Sequence, residues 1–323
     1  MRKPRILVVG SCNMDFTFEA ERFVKEGETI MGTAFSTAQG GKGANQARQA
    51  AKAGADVTFL GKMGHDSNAE QLIAILKSDG IDTSKMLFSD TEPTGCACIE
   101  LENREGGTRN RIIVVSGAQV TFTEEELSFL KEEIRNYDMV ILQLEINMDA
   151  NELVAKYAHD AGVPVMLNSA PSAPLSDSFL ANLTYISPNE HEASDMTGIK
   201  VETVEDAREA CRALCDKGVE NVIITMGSQG AVIGNREKFV QVPCVKTTAV
   251  DPTAAGDSFV GAFCTAVAAG MEWNDALTFA SHAASITVSR KGAGPSLPYL
   301  SEIKELLART GSSVDAEALA SLE

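Results

Sequence analysis

The sequence Gln39-Gly40-Gly41-Lys42-Gly43-Ala44-Asn45-Gln46 places three glycines directly before an amphipathic stretch, Ala44–Ala53. Apolar runs that predict buried strands lie on both sides of it, at Ile6–Val9 and Val57–Leu60. Glycine permits positive φ and lets two backbones approach closely, so we predict a tight turn that leads into a helix. The order strand, helix, strand around this turn predicts the repeating unit of a parallel sheet.

The same alternation of short apolar runs and longer amphipathic stretches continues along most of the chain. Further strands are predicted at Met139–Leu142, Val165–Leu167, Thr184–Ile186 and Val222–Thr225. Further helices are predicted at Ala69–Ser78, Glu124–Asn136, Asn151–Ala161, Val204–Lys217, Asp257–Ala269, Asp275–Ser289 and Leu300–Ala308. Strands rich in Val, Ile and Leu that alternate with helices predict an α/β domain over residues 1–310, with a central, mostly parallel sheet flanked by helices.

Two regions interrupt this rhythm. Residues 16–38 and 94–115 show alternating apolar residues without a helical period, and Asn103–Asn110 has the composition of a polar turn. We predict that both regions form antiparallel strands of a small β-sheet lid inserted into the α/β domain. The last residues, 311–323, are expected to be a loosely attached C-terminal tail.

The overall composition is that of an acidic globular protein. The 323 residues carry a formal net charge of −17 at pH 7, which disfavours non-specific binding to nucleic acid or to an anionic membrane. No apolar run approaches the roughly 18 residues of a membrane span. The seven cysteines do not form the two Cys or His pairs that a zinc finger requires, and we interpret them as reduced thiols. Together these features lead us to expect a cytoplasmic protein.

Two N-terminal loops carry polar side chains that suit a hydroxylated ligand. The loop Gly10-Ser11-Cys12-Asn13-Met14-Asp15 follows the first strand, at the sheet edge where open α/β folds bind ligands. Lys42 and Asn45 add polar groups where the glycine turn enters its helix. The alternative interpretation, without a ligand, is a polar loop and an ordinary tight turn. Because the pattern G-x-x-x-x-G-K-[ST] is absent, a Walker-type NTPase is disfavoured.

The strongest local signal is Asp251-Pro252-Thr253-Ala254-Ala255-Gly256-Asp257-Ser258-Phe259. Its small residues predict a turn, and Asp257 is expected to open an apolar helix. The backbone N–H groups of Ala255, Gly256 and Asp257 would then point out of the helix start towards an anion such as a phosphoryl group. Asp257 could accept the proton of an attacking hydroxyl. The alternative is a carboxylate that merely favours the helix N-terminus.

Eight segments, in order along residues 5–310, resemble those of the ribokinase-like (PfkB) carbohydrate kinases. The two most specific are Gly40-Gly41-Lys42-Gly43-Ala44-Asn45 and Asp251…Ala254-Ala255-Gly256-Asp257. The others are Gly10…Asn13…Asp15, Gln143-Leu144-Glu145, Asn168…Ala170-Pro171, Pro188-Asn189-Glu190…Glu192, Thr225-Met226-Gly227…Gly230 and Arg290-Lys291-Gly292…Pro295-Ser296. One such segment would be weak, whereas eight in register are hard to obtain by chance. Within the family, the glycine loop and Gln143-Leu144-Glu145 are most similar to those of the ribose-specific members.

The resemblance implies ATP-dependent phosphorylation of D-ribose at its 5-hydroxyl, giving ribose 5-phosphate and ADP, with Mg²⁺ and K⁺ as cofactors. It makes Asp257 the general base, beside an anion hole formed by Ala255, Gly256 and Asp257. The sugar-binding positions that it implies are Asn13, Asp15, Gly41, Lys42, Asn45, Glu145 and Asp257. The nucleotide-side positions are Asn189, Glu192, Thr225, Gly227, Gly230, Gly256 and Ser281, with Asn189 and Glu192 linked to phosphate and Mg²⁺. The monovalent-cation positions, many of which would contribute backbone carbonyls, are Asp251, Thr253, Thr287, Arg290, Gly292 and Ser296.

The resemblance also implies that the small lid pairs two subunits into a homodimer, with Ala97 and Ile99 as candidates to contact the sugar across it. The sequence departs from the family pattern at three positions. Ala254 stands where many relatives have Gly, and Pro252 stands where Thr is usual. Ser281 falls where relatives often have Asn or His near the adenine, with His282 one place later.

Two alternatives stay open from the sequence. The first is a kinase for 2-deoxyribose, another pentose or a nucleoside, because one hydroxyl group is a small difference for the same binding residues. The second is a non-catalytic sugar-binding protein on the same fold. The presence of Gly256 and Asp257 together with Asn189 and Glu192 argues against the second alternative.

Overall fold

The computed structural model describes residues 2–104 and 107–323 and centres on one eight-stranded sheet. Across the sheet its strands are Phe239–Val242 (β14), Ala231–Gly234 (β13), Asn221–Thr225 (β12), Tyr185–Ile186 (β11), Val165–Asn168 (β10), Met139–Gln143 (β9), Arg5–Val9 (β1) and Asp56–Leu60 (β4). All neighbouring strands are parallel except in the pairs β12–β13 and β13–β14, which are antiparallel. The predicted fold class is confirmed, although β13 and β14 were not predicted.

Helices cover both faces of this sheet. In chain order they are Lys42–Lys52 (α1), Ser67–Ser78 (α2), Glu124–Leu127 (α3), Leu130–Glu133 (α4), Met148–Asp160 (α5), Asp177–Leu180 (α6), Glu190–Thr197 (α7), Val204–Asp216 (α8), Ala255–Ala268 (α9), Trp273–Val288 (α10), Leu300–Thr310 (α11) and Ala316–Ser321 (α12). Alternate residues of β1 enter different cores, since Ile6 and Val8 pack with α1, α9 and α10, whereas Leu7 and Val9 pack with α5 and α8. Burial on both faces explains why the strands are almost wholly apolar.

The predicted helix Glu124–Asn136 is wrong as a single element. The segment instead forms α3, α4 and a 3₁₀ turn at Ile134–Asn136. Ser128 lies at the break, where its hydroxyl donates to the carbonyl oxygen of Glu125 at 2.7 Å. Such a side-chain bond competes with the helical backbone ladder, which apolar periodicity alone does not reveal.

The two interrupting regions form a separate sheet with the strand order Ala34–Gly40 (β3), Asn13–Ala20 (β2), Cys96–Arg104 (β7) and Gly107–Val115 (β8). We call it the small sheet. Its outer pairs are antiparallel, but β2 and β7 are parallel, so the expectation of a purely antiparallel arrangement is wrong for that pair. The strands also occupy much of the predicted polar turn Asn103–Asn110, of which residues 105–106 lie outside the described part. Lys62–Gly64 (β5) and Leu87–Ser89 (β6) form a further parallel pair.

Residues 311–323 do not form the loosely attached tail that composition suggested. They contain α12, and Ala318 and Leu322 are buried in the same core as α1 and α9. A side chain at Gly54 would collide with the carbonyl oxygen of Leu322, which shows how closely this end packs against the α1–β4 turn. Within the described residues, no helix is both long and apolar enough to cross a membrane.

Candidate active site

A cleft of about 230 Å³ opens at the carboxyl ends of the parallel strands. It is lined by Lys42, Asn168, Ala170, Ser187, Asn189, Glu192, Thr225, Pro252, Ala254, Ala255, Gly256 and Asp257. The fold thereby brings the glycine turn, the Asn189 segment and the start of α9 together from distant parts of the chain. This is the edge at which open α/β sheets bind their ligands.

The start of α9 differs from the prediction in its first residue and in the number of backbone N–H groups left free. The helix begins at Ala255, so Asp257 lies within its first turn instead of opening it. The N–H of Ala255 donates to the carbonyl oxygen of Pro252 at 3.2 Å. Among the described residues, only the N–H groups of Gly256 and Asp257 stay without a protein acceptor in this turn. The predicted three-donor anion hole therefore presents two free donors.

The carboxylate of Asp257 is buried, and both of its oxygens accept hydrogen bonds. Asn45 Nδ2 donates to Oδ2 at 3.0 Å, and Gln46 Nε2 donates to Oδ1 at 2.9 Å. Burial raises the pKa of Asp257, while the charge of Lys42 and these two hydrogen bonds oppose the increase. A buried carboxylate with a raised pKa and a cation nearby has the properties of a general base.

The glycine turn packs directly on the loop that follows β1. Gly41 has φ of 89°, and a side chain there would meet Cys12 Cα at 2.8 Å, so glycine is required. Glu145 ties the two loops together, because its Oε2 accepts from the Lys42 backbone N–H at 2.9 Å and from the Ser11 hydroxyl at 2.5 Å. These contacts hold Lys42 and Glu145 beside Asp257.

Asn13 and Asp15 begin β2 at the junction between the main sheet and the small sheet. Asn13 Oδ1 is buried without a hydrogen-bond partner among the described residues. Burial, with a smaller contribution from Glu145, raises the pKa of Asp15 to about 6. Ala97 and Ile99 lie beside Asp15 and Thr17 in the register with β7, and therefore on the same face of the small sheet as Asp15.

On the opposite side of the cleft, Asn189 and Glu192 form a capping box at the start of α7. Asn189 Oδ1 accepts from the Glu192 N–H at 2.8 Å, and Glu192 Oε2 accepts from the Asn189 N–H at 2.9 Å. Thr225 bridges to Asn189 and also lines the cleft. The two residues that were assigned to the nucleotide thus also have a structural role.

The remaining nucleotide-side positions lie away from this cleft. Gly227 and Gly230 have φ of 50° and 95° and flank the 3₁₀ turn between β12 and β13, and neither lines the cleft. Ser281 lies on α10 and does not line it either. His282 is buried between Thr278 O, at 2.7 Å, and Thr310 Oγ1, at 2.9 Å, so it joins α10 to α11.

The predicted cation positions lie close together where Asp251 joins two loops, the one that precedes α9 and the one that follows α10. Its carboxylate accepts from the N–H groups of Thr253 and Gly292, both at 2.9 Å. Burial by itself would raise the pKa of Asp251, but hydrogen bonds from the Thr253 side chain and from these N–H groups, with the charge of Lys291, outweigh it and lower the pKa. Thr287 is buried, and its hydroxyl has two acceptors within reach for its one proton, Ser258 Oγ at 2.8 Å and Ala283 O at 3.1 Å.

Two other members of the predicted cation set already have side-chain partners. The Ser296 hydroxyl donates to Ala293 O at 2.6 Å. The guanidinium of Arg290 pairs with Glu302 at 2.5 Å, and because it has no acceptor atom, only the backbone carbonyl of Arg290 could bind a cation. The six predicted cation positions could therefore offer mainly backbone carbonyl and hydroxyl oxygens.

Comparison with known proteins assigns this arrangement to a family. The model of the pfkB family carbohydrate kinases matches residues 3–300. The chain belongs to the pfkB family. The ribokinase of Haemophilus influenzae is 37% identical over 307 residues, which cover 95% of this chain and 99% of that protein. The deoxyribokinase of Salmonella typhi is 33% identical over 303 residues, with coverages of 94% and 98%.

The structure of Arabidopsis thaliana ribokinase complexed with ribose and ATP is also similar to this pfkB kinase. It has a TM-score of 0.86 and 36% sequence identity, and the match covers 95% of this chain and 99% of that one. The prediction of the family and of its fold is confirmed.

One contact at the centre of this pfkB kinase was not predicted. Gln46 belongs to the glycine motif, and it donates directly to Asp257. The only available signal was its place next to Asn45 on the first turn of a helix. Its partner lies 211 positions away, so the contact itself could not be read from local pattern.

Proposed function

We propose that this pfkB kinase transfers the γ-phosphoryl group of ATP to the 5-hydroxyl of D-ribose. The observation that carries the proposal is the buried carboxylate of Asp257 beside the free N–H groups of Gly256 and Asp257, in one cleft with Lys42, Asn189 and Glu192. The likeness to ribokinases over nearly the whole chain supports the choice of sugar.

The sugar side of the site would consist of the two N-terminal loops and the end of β9. Carboxylates of Asp15 and Glu145 accept from hydroxyl groups, whereas the amides of Asn13 and Asn45 both donate and accept. The unpartnered Asn13 Oδ1 is an acceptor that a sugar hydroxyl would satisfy. Such a mixture recognises a polyol, because each hydroxyl is itself both a donor and an acceptor.

In the proposed reaction, the 5-hydroxyl loses its proton to Asp257 while its oxygen attacks the γ-phosphorus in line. A new P–O bond forms, and the bond to the bridging oxygen of ADP breaks. The N–H groups of Gly256 and Asp257 face the negative charge on the transferring group. Positioning and electrostatic stabilisation then account for most of the rate acceleration.

The cleft residues also fit the magnesium that a kinase requires. Glu192 supplies a carboxylate, which is the hard ligand that Mg²⁺ prefers. Asn189 Oδ1 already accepts from the N–H groups of His191 and Glu192, so Asn189 would offer its Nδ2 as a donor to phosphate. When bound, Mg²⁺ would neutralise phosphate charge. The capping box holds both side chains at the cleft, so they are in place before a ligand binds.

The loops joined by Asp251 fit a potassium ion. The two loops carry carbonyl groups and the carboxylate of Asp251, next to the buried hydroxyl groups of Thr287 and Ser296. When bound, K⁺ would add positive charge near the start of α9. Pro252 lacks an N–H, but its carbonyl oxygen accepts from Ala255, so the proline is compatible with this turn.

The proposal is tested by an ADP-release assay with a panel of sugars, with and without K⁺, at saturating Mg²⁺ and ATP. We expect D-ribose to give the highest kcat/KM, with 2-deoxyribose, other pentoses and nucleosides lower, and K⁺ to increase turnover. Preference for 2-deoxyribose or a nucleoside would overturn the choice of ribose. Sugar binding without ADP release under all conditions would overturn the assignment as an enzyme.

We infer that two copies pair through the small sheet. Strand β8 is an edge strand on which Ile112, Ile113, Val114 and Val115 are each at least 50% exposed. Four consecutive exposed apolar residues on an edge strand favour association with another chain. The face that carries Asp15 and Ala97 belongs to the same small sheet, so pairing there would help to close the sugar site.

A further inference from the structure

The two hydrogen bonds to Asp257 come from amide side chains, and an amide can face either way. One end of the Asn or Gln side chain donates, and the other end accepts. Only the donating end stabilises an ionised carboxylate, so Asn45 and Gln46 must both present nitrogen to Asp257. Each of them is followed by a chain of buried hydrogen bonds that leads to a group of fixed polarity.

The first chain fixes Asn45. Gln39 Nε2 donates to Asn45 Oδ1 at 3.1 Å and to the Gly40 carbonyl oxygen at 2.7 Å. Arg48 Nη1 donates to Gln39 Oε1 at 2.8 Å, and Arg48 itself pairs with Asp79 at 2.5 Å. A guanidinium can only donate, and a carbonyl can only accept. Gln39 is therefore held with its nitrogen towards Asn45, which turns Asn45 Nδ2 towards Asp257.

The second chain fixes Gln46. Asn168 Nδ2 donates to the Ser187 carbonyl oxygen at 3.1 Å, which turns Asn168 Oδ1 towards Gln46. Gln46 Nε2 donates to that oxygen at 3.2 Å, in addition to Asp257 Oδ1. Gln143 Nε2 donates to Gln46 Oε1 at 2.9 Å. A reversed Gln46 would set its oxygen against two acceptors, so a single orientation is favoured.

We propose that these two chains, Arg48–Gln39–Asn45 and Ser187–Asn168–Gln46 with Gln143, position Asp257 by forcing both amides to donate to its carboxylate. Gln39, Gln46, Arg48, Gln143 and Asn168 are then positioning residues for the reaction. The inference rests on the proposed role of Asp257 as general base. It extends that role to side chains that bind neither the sugar nor the nucleotide in the proposed mechanism.

The charged surroundings of Asp257 give the direction of the expected effect. Lys42 favours its ionised form, whereas burial and Glu145 oppose it. Removing an amide that donates to Asp257 leaves the burial and the neighbouring charges unchanged and takes away one hydrogen bond to the ionised form. The pKa of Asp257 therefore increases further. Turnover requires the ionised carboxylate, and the acid limb of the kcat profile therefore moves to higher pH.

The main test uses Gln46→Met, which keeps the approximate volume of the side chain and removes its amide. We expect kcat to fall about 10- to 100-fold because the base is misplaced, with the KM for ribose changed less than about threefold. The acid limb of kcat should move up by about one pH unit. Gln39→Met, which does not touch Asp257, should move it in the same direction by a smaller amount.

The matched control is Asn221→Leu. Asn221 is also a buried amide, bonded to Thr184 O and to Asn235, but it lies at the end of β12 away from the cleft. We expect it to lose stability without moving the acid limb. If Gln46→Met fails to fold, Gln39→Met carries the same comparison.

A second readout needs no substrate. In ligand-free protein with ¹³C-labelled carboxyl groups, the Asp257 resonance, assigned by its loss in Asp257→Asn, should titrate at higher pH in both glutamine variants than in the wild type. Unchanged titration and an unchanged acid limb would overturn the positioning role. If the wild type does not phosphorylate ribose, the proposed function fails, while the titration still decides whether the two chains act on Asp257.

Discussion

Asp15 and Asp257 are both carboxylates near Glu145, but their hydrogen bonding differs. Asp257 has a donor on each oxygen. Asp15 is largely buried beside Glu145, and its pKa is raised to about 6. An ionised Asp15 therefore destabilises the free protein, whereas sugar hydroxyl groups would donate hydrogen bonds to it in the complex.

This difference predicts that Asp15→Asn stabilises the ligand-free protein in a pH-dependent way. The pKa of Asp15 is above its ordinary value in the folded state, so the ionised form is disfavoured there. The cost is absent well below pH 4, where the group is protonated in both states, and complete above about pH 6. Guanidinium unfolding should show a gain of about 1–3 kcal/mol at pH 8 that is largely lost at pH 4. Equal gains at both values would contradict the role of this charge.

Ala254 is the non-glycine residue with positive φ in the described chain, at 60°. A left-handed conformation costs a residue with a Cβ roughly 1–2 kcal/mol, and glycine avoids this cost while losing more entropy on folding. We predict that Ala254→Gly stabilises the protein by about 0.5–1 kcal/mol in thermal unfolding and keeps kcat. The control is Ala269→Gly, at the other end of α9 with φ of −80°, which should destabilise it. Destabilisation at Ala254 as well would contradict the account of strain.

At the scale of elements, local pattern was sufficient where a segment is buried on both faces or strongly periodic. The apolar runs at β1, β4, β9 and β12 were found within a residue or so. Strands β13 and β14 were missed because each has only four residues and they pair antiparallel at the sheet edge, and because β13 follows Gly230 and ends at Gly234. The residues of the candidate site followed from motif resemblance, whereas the donors to Asp257 depend on contacts between α1 and α9 that no local period encodes.

The C-terminal helix supplies a prediction at the same scale. Leu322 is 1% exposed and belongs to the core of α1 and α9, whereas Leu319 is only partly buried. Leu322→Ala should lower the free energy of unfolding by about 2–4 kcal/mol because it leaves a cavity. Leu319→Ala should cost clearly less. Chemical denaturation would measure both, and an equal, small effect would mean that the tail is dispensable for the core.

At the level of the whole molecule, the small sheet is the part through which we infer that two copies pair. Its exposed apolar strand β8 contrasts with an otherwise acidic protein of net charge −17. The sequence indicated that these strands lie outside the main sheet. It could not indicate the parallel pairing of β2 with β7, because that register joins residues about 80 positions apart.

The inferred dimer gives a prediction for this scale. Ile113→Lys, at a residue that is 68% exposed, should place a charge in the apolar interface and shift the protein towards monomer in sedimentation velocity. Val120→Lys alters another exposed apolar residue, 42% exposed and outside the small sheet, and should leave the assembly unchanged. A wild-type protein that is monomeric at micromolar concentration would contradict the inference.

In the proposed reaction, Asp257 takes the proton of the sugar hydroxyl as the phosphoryl group is transferred. The most direct test is kcat for ribose-dependent ADP release by the wild type and by Asp257→Asn, at saturating ATP, Mg²⁺ and K⁺. Loss of the base should lower kcat by at least about 10²-fold, while ribose binding measured by calorimetry stays largely intact. Turnover by Asp257→Asn near the wild-type value would contradict the claim.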